Sequence, residues 1–225
     1  MPCSLPFDLD LELAEQVALS YVDANWFFSN VQARILVRDG RTMVGVAGSN
    51  DKKDWWQDFQ AFLVERTHGK IYKGWADMGE PTKEAFLAAI KTYPPPYDIG
   101  THSAGGPVGL QWALWMAEAG LIPRRVQLLA CPLVWNEPGA RYYNSFKIPT
   151  LRIANYHDPV ASLPGVGLGG YSESPQLVLD SDGIERECQD IPATWKVAEV
   201  GYMVAKYHGC GANYVRALRI YTGAG

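Results

Sequence analysis

Apolar or aromatic residues recur at every fourth position in Leu9, Leu13, Val17 and Tyr21, with acidic residues near the start. That spacing predicts an amphipathic helix over residues 8–24. Two β-type runs follow, 33–38 and 42–47, joined by the hairpin turn Asp39-Gly40-Arg41. Residues 54–63 predict a short amphipathic helix and 70–75 a short strand. Phe86, Leu87 and Ile90 mark a helix over 82–92, ended by Pro94-Pro95-Pro96. A strand near 97–101 leads into a helix over about 106–119, with Val108, Trp112, Trp115, Met116 and Ala119 as its buried stripe. Gly105, Gly106 and Gly109 let that helix lie close to a sheet, and Gly120 and Pro123 stop it. Residues 126–130 and 150–154 read as buried strands, 161–172 as loop, 176–180 and 184–188 as a hairpin, and 193–206 as a helix. Strand, helix and strand in this order imply a parallel sheet and an α/β fold.

Composition narrows the function classes. The chain has 225 residues, enough for one α/β domain over 1–225, with 1–7 expected to be loose. Its net charge is −4 and no basic cluster exceeds a dipeptide, which argues against a nucleic-acid surface. No apolar run is long enough to cross a bilayer, so no transmembrane segment is expected. The N-terminus carries neither a basic start nor a long apolar stretch, which disfavours a secretory signal and favours a cytoplasmic setting. The four cysteines are widely spaced, with no C-x-x-C, so no metal site or redox pair is expected. Eight Trp and twelve Tyr supply either core area or the lining of an apolar ligand cleft.

The most informative run is Tyr97-Asp98-Ile99-Gly100-Thr101-His102-Ser103-Ala104-Gly105-Gly106-Pro107. Small residues flank a serine between a strand and a helix, the setting of a nucleophile elbow. The usual pattern is G-x-S-x-G, and here Thr101 stands where the first glycine belongs. The alternative is a Gly-rich loop with Ser103 as a helix cap. A serine nucleophile needs a base and an orienting carboxylate, in the chain order Ser, acid, His. Of His68, His102, His157 and His208, only His208 fits that order without adjoining another candidate. Asp158, directly after the strand 150–154, is the expected acid, with Asp180, Asp182 and Asp190 as weaker rivals. The otherwise ordinary roles are helix capping for His208 and turn formation for Asp158. Oxyanion donors are expected at the N–H of Ala104 and at Ser49, in the loop after the strand 42–47.

With those residues placed, the chain resembles the fungal-type, or class three, lipases of the α/β-hydrolase superfamily. Four ordered segments carry the likeness: 46–59 with its Asp54-Trp55-Trp56-Gln57-Asp58-Phe59, Ile71-Tyr72-Lys73-Gly74-Trp75, the elbow, and Arg152-Ile153-Ala154-Asn155-Tyr156-His157-Asp158-Pro159-Val160. The resemblance implies a mostly parallel sheet with helices on both faces. It also implies a Ser103–Asp158–His208 triad, oxyanion donors at Ser49 and Ala104, acyl-ester or lipid substrates, no metal and no cofactor. Trp55, Trp75 and His102, lying in or beside these motifs, are the expected substrate-binding residues. The departures are Ala47 for an arginine, Tyr72 for a histidine, Thr101 for a glycine, and a long spacing from His208 to Tyr214. Four charges over 51–54 make a poor lid, which favours an esterase with an open cleft; the Gly-rich stretch 165–170 is an alternative cover. Against the hydrolase stands a catalytically weak or inactive lipid-binding or protein-binding module on the same fold.

Overall fold

Two kinds of strand build the molecule. In a computed structural model, the residues described are 8–28, 30–48, 62–163, 170, 172, 176–180, 182–186 and 203–224. Strands β1 (Trp26–Phe28), β2 (Val31–Arg38) and β3 (Arg41–Val46) pair antiparallel in sequence order. β2 alternates buried and half-buried positions, as a strand with one covered face does. Asp39 and Gly40 both take positive φ (50° and 72°), the turn that matches the twist of a two-residue hairpin. A separate hairpin joins β4 (Leu63–Arg66) to β5 (Gly69–Tyr72).

The second kind is parallel and almost wholly buried. β6 (Tyr97–His102), β7 (Arg125–Leu129), β8 (Thr150–Asn155) and β9 (Gln176–Leu179) continue the sheet from β3 in parallel. The short β10 (Glu185–Arg186) closes it antiparallel, giving the order β1-β2-β3-β6-β7-β8-β9-β10. β6 and β8 are buried at every position, as strands covered on both faces must be.

Helices cover both faces. On one lies α1 (Leu11–Leu19), capped by the Asp10 carboxylate on the Leu13 N–H. The C-terminal segment packs beside it: a π-helix, Cys210–Val215, then α6 (Arg216–Tyr221). On the other lie α2 (Lys73–Gly79), α3 (Lys83–Ile90), α4 (Gly105–Glu118) and α5 (Glu137–Ser145). A charged clamp ties α1 to the N-terminal ends of the strands. Arg41 reaches Asp10, Glu12 at 2.6 Å and Asp98 at 2.8 Å, and Arg124 also holds the fully buried Asp98.

Several expectations shift. The first helix is shorter than 8–24 at both ends: the Asp10 cap starts it late, and it stops at its C-cap Ser20. The expected strand 70–75 turns into α2 at Lys73. α4 is buried on every face over 105–113 rather than along a stripe, while Ala119 is exposed beyond its end. α5, the π-helix and α6 were not anticipated. Most of the expected helices over 54–63 and 193–206 falls outside the described residues, and the end of the first is strand instead, since Leu63 opens β4.

Candidate active site

β6 ends at His102 and α4 begins at Gly105, so the chain turns within two residues. Ser103 takes φ 56°, a left-handed conformation that is rare for a residue with a side chain. Two hydrogen bonds hold it there: its N–H donates to the Leu129 carbonyl at 3.0 Å, and its carbonyl accepts the Gly106 N–H at 2.9 Å. The threonine at 101 fits for a reason visible only across the layers. Gly100 faces α1, where a Cβ would strike Leu13 and Val17. Thr101 faces α4, and there Gly109 supplies the clearance: a Cβ on Gly109 would lie under 3.0 Å from the Thr101 methyl. The glycine missing from the strand is replaced by one on the helix.

Ser103, His208 and Asp158 come together directly. The Ser103 hydroxyl lies 2.6 Å from His208 Nε2, and His208 Nδ1 lies 2.6 Å from Asp158 Oδ2. All three are buried, Asp158 completely. Asp158 also caps the turn of 3-10 helix Pro159–Ser162 by accepting the Val160 N–H on Oδ1 at 3.0 Å. That locks the carboxylate at the end of β8. His208 follows a helical turn over 203–207, with its N–H on the Val204 carbonyl. Of the rivals, Asp180 binds the N–H groups of Asp182 and Ile184 inside the β9–β10 hairpin, and Asp190 lies outside the described residues.

Two tyrosines complete the arrangement. Tyr214 donates to the same Asp158 oxygen at 2.7 Å and accepts the Asn155 N–H at 3.0 Å. Burial, then the Asp158 charge and hydrogen bond, push its phenol well above the ordinary range, so it remains a donor at alkaline pH. The wide turn of the π-helix carries Tyr214 to the acid despite its long spacing from His208. Tyr21, at the end of α1, accepts the Gly48 N–H at 2.8 Å. Its own proton therefore goes to His102 Nδ1 at 2.6 Å, which leaves His102 Nε2–H to donate to the His208 carbonyl at 2.8 Å. Burial raises the Tyr21 phenol as well. Both roles depend on where helices dock, and only the every-fourth spacing marked Tyr21 beforehand.

The remaining expected residues fare differently. Ala104 is fully buried beside Ser103, and among the described residues nothing accepts its N–H. Ser49, Trp55 and the charged stretch 51–54 lie outside the described residues, as does all of 165–170 except Gly170. Trp75 is core, with its indole N–H on the Leu133 carbonyl at 3.1 Å. His102 is buried behind the triad with both ring nitrogens engaged, so the structure turns neither Trp75 nor His102 toward an open cleft. Tyr72, in the family's histidine position, is buried, which raises its phenol against the opposing Gly170 N–H. Cys131 and Cys210 are free thiols, and burial pushes them up to about 11 and about 12.

Comparison with known proteins places this geometry. The family model for "Lipase (class 3)" matches residues 43–168. No curated protein matches the chain. Among solved structures, the lipase from Rhizopus microsporus var. chinensis is 17% identical with a TM-score of 0.73, covering 92% of this chain and 88% of that one. The Rhizomucor miehei lipase–propeptide complex is 20% identical with a TM-score of 0.67, covering 77% and 69%. A deletion mutant of that complex, also 20% identical, gives a TM-score of 0.72 and covers 89% and 78%. The cytoplasmic setting expected from the N-terminus is overturned by these relatives. The Rhizomucor miehei lipase was solved in complex with its propeptide, a feature that the cytoplasmic reading does not anticipate. Among the described residues no helix is long and apolar enough to cross a membrane.

Proposed function

The chain belongs to the class 3 lipase family, and from that premise we propose that it is a serine ester hydrolase with Ser103 as nucleophile, His208 as base and Asp158 as the orienting acid. The observation that carries this is the pair of 2.6 Å contacts linking hydroxyl, imidazole and carboxylate. As Ser103 Oγ attacks the acyl carbonyl, its proton passes to His208 Nε2, and the Asp158 carboxylate stabilises the imidazolium. The Ala104 N–H, at the start of α4, holds the developing oxyanion; Ser49 is the proposed second donor, and each such donor is worth about 2.7–4 kcal/mol of barrier. His208 then returns the proton to the leaving alcohol, and water repeats the sequence in reverse to release the acid. Tyr214 and Val160 hold the carboxylate from its other sides, so His208 meets it in one orientation. A helix dipole at α4 adds to the same oxyanion stabilisation. The substrates are acyl esters or lipids.

The reading of a fold without turnover rests on Thr101 and on Ala47, and the Gly109 clearance removes the first of these grounds. A fluorophosphonate probe tests the hydrolase directly. Wild type gains the mass of one phosphonyl group on Ser103, and Ser103→Ala does not. No gain in mass anywhere between about pH 6 and about pH 9, where an ordinary imidazole becomes neutral, overturns the assignment.

A further inference from the structure

A cleft of about 530 Å³ opens between the β4–β5 hairpin and helices α3, α4 and α5. It follows α4 from Gln111 to Glu118, about 9–20 Å of helical rise beyond Gly105. Neither Ser103, Asp158 nor His208 lines it. Its volume is that of a small-molecule site. The walls are aromatic: Trp115, Trp135, and the rings of His68 and Tyr142 stacked with centres 3.7 Å apart.

The polar groups around it are unequally matched. Arg66 pairs with Glu80, Lys70 pairs with Glu65 at 2.6 Å, and Glu118 accepts the Tyr142 hydroxyl at 3.2 Å. Lys83 has no carboxylate partner among the described residues; its ammonium stands 5.4 Å from the centre of the Trp115 ring. The indole N–H groups of Trp115 and Trp135 also find no acceptor among the described residues, although each residue is only 9% exposed. Both residues border the cleft. Gln111 shows the contrast, because its amide is anchored on the Trp75 and Pro107 carbonyls.

We propose that this cleft is a second binding site, separate from the triad, for an amphiphilic monocarboxylate. Lys83 supplies one positive charge, the indole N–H groups supply donors for carboxylate oxygens, and the aromatic walls take the apolar body. Glu118 on the same rim, with no cation paired to it among the described residues, selects against a second negative charge, so the site takes a carboxylate rather than a phosphate or a dicarboxylate. The proposal does not rest on the hydrolase reading and stands or falls separately from it.

Titration calorimetry with sodium octanoate and with neutral 1-octanol tests it on the whole chain. Octanoate is expected to bind one to one. Lys83→Gln weakens it about fivefold, the size of one partly exposed charge interaction. Lys83→Arg keeps affinity within about twofold of wild type, because the charge is retained. Octanol affinity is unchanged by either substitution, and so is ester hydrolysis. Three results overturn the proposal: no octanoate binding to wild type, equal octanoate affinity in Lys83→Gln, or loss of octanoate binding in His208→Ala, which would put the acid at the triad.

Discussion

Gly109→Ala offers the sharpest test of how this chain carries an elbow with a threonine in it. At a solvent-facing helical site, alanine in place of glycine stabilises by about 0.5–1 kcal/mol. Here the new methyl would stand under 3.0 Å from the Thr101 methyl and 3.5 Å from that of Ile99. Carbon atoms sit comfortably at about 3.5–4.0 Å, so α4 must back away from β6 by more than about 0.5 Å. Thr101 cannot swing aside, because a β-branched side chain has few rotamers in a strand. Overpacking of this kind costs about 1–3 kcal/mol. After the propensity gain, a net loss of about 1–2 kcal/mol is expected. Activity suffers more than stability, since α4 begins two residues after Ser103 and a shift of about 1 Å at a nucleophile costs about a hundredfold. Thr101→Gly should rescue it. That change removes the clashing methyl and a buried hydroxyl that has no partner among the described residues. Urea unfolding of wild type, both single variants and the double variant should give a coupling of at least about 1.5 kcal/mol, with kcat/KM of the double variant recovering toward wild type. Additivity within about 0.5 kcal/mol, or a fully active and stable Gly109→Ala, would refute the clearance argument.

Tyr214→Phe should cost about 1–3 kcal/mol of stability, because it leaves the Asn155 N–H unpaired and takes one donor from Asp158. A carboxylate with one donor fewer holds the His208 imidazolium more strongly, so the acid limb of kcat/KM should move to higher pH; an unmoved limb counts against a positioning role. Asp10 concerns folding rather than catalysis. Burial pushes its carboxyl up, but the Arg41 hydrogen bond and charge, the Leu13 N–H and the Arg125 charge together hold it below the usual range. A depressed folded-state value stabilises above the unfolded value of about 3.9 and is lost as pH falls through the folded one. Asp10→Asn should therefore lower the melting temperature at neutral pH and flatten its decline below about pH 4, and a parallel decline in both proteins would rule out that linkage.

What was legible in the chain follows from what each feature depends on. The hairpin at Asp39-Gly40, the parallel strands and the nucleophile helix are local patterns, and they were readable because alternation, turn chemistry and small residues act within one element. Asp158 and His208 were found by chain order, since a strand tip and a later loop are where this topology delivers an acid and a base. α5 was missed because Asn136-Glu137-Pro138-Gly139 looks like a turn. The Asn136 side chain in fact caps the Gly139 N–H, and buried Tyr143 anchors the helix through the Thr150 hydroxyl at 2.7 Å. The Thr101–Gly109 exchange, the Tyr21–His102 chain and the Tyr214 contact all join residues far apart in sequence and share one cause. Each places a side chain from one layer against a neighbour from another, and no periodicity records the distance between layers. A departure from a motif therefore predicts lost function only after the facing element has been inspected for its compensation. At Thr101 that element is α4, and the glycine it supplies turns an apparent defect into an alternative packing of the same corner.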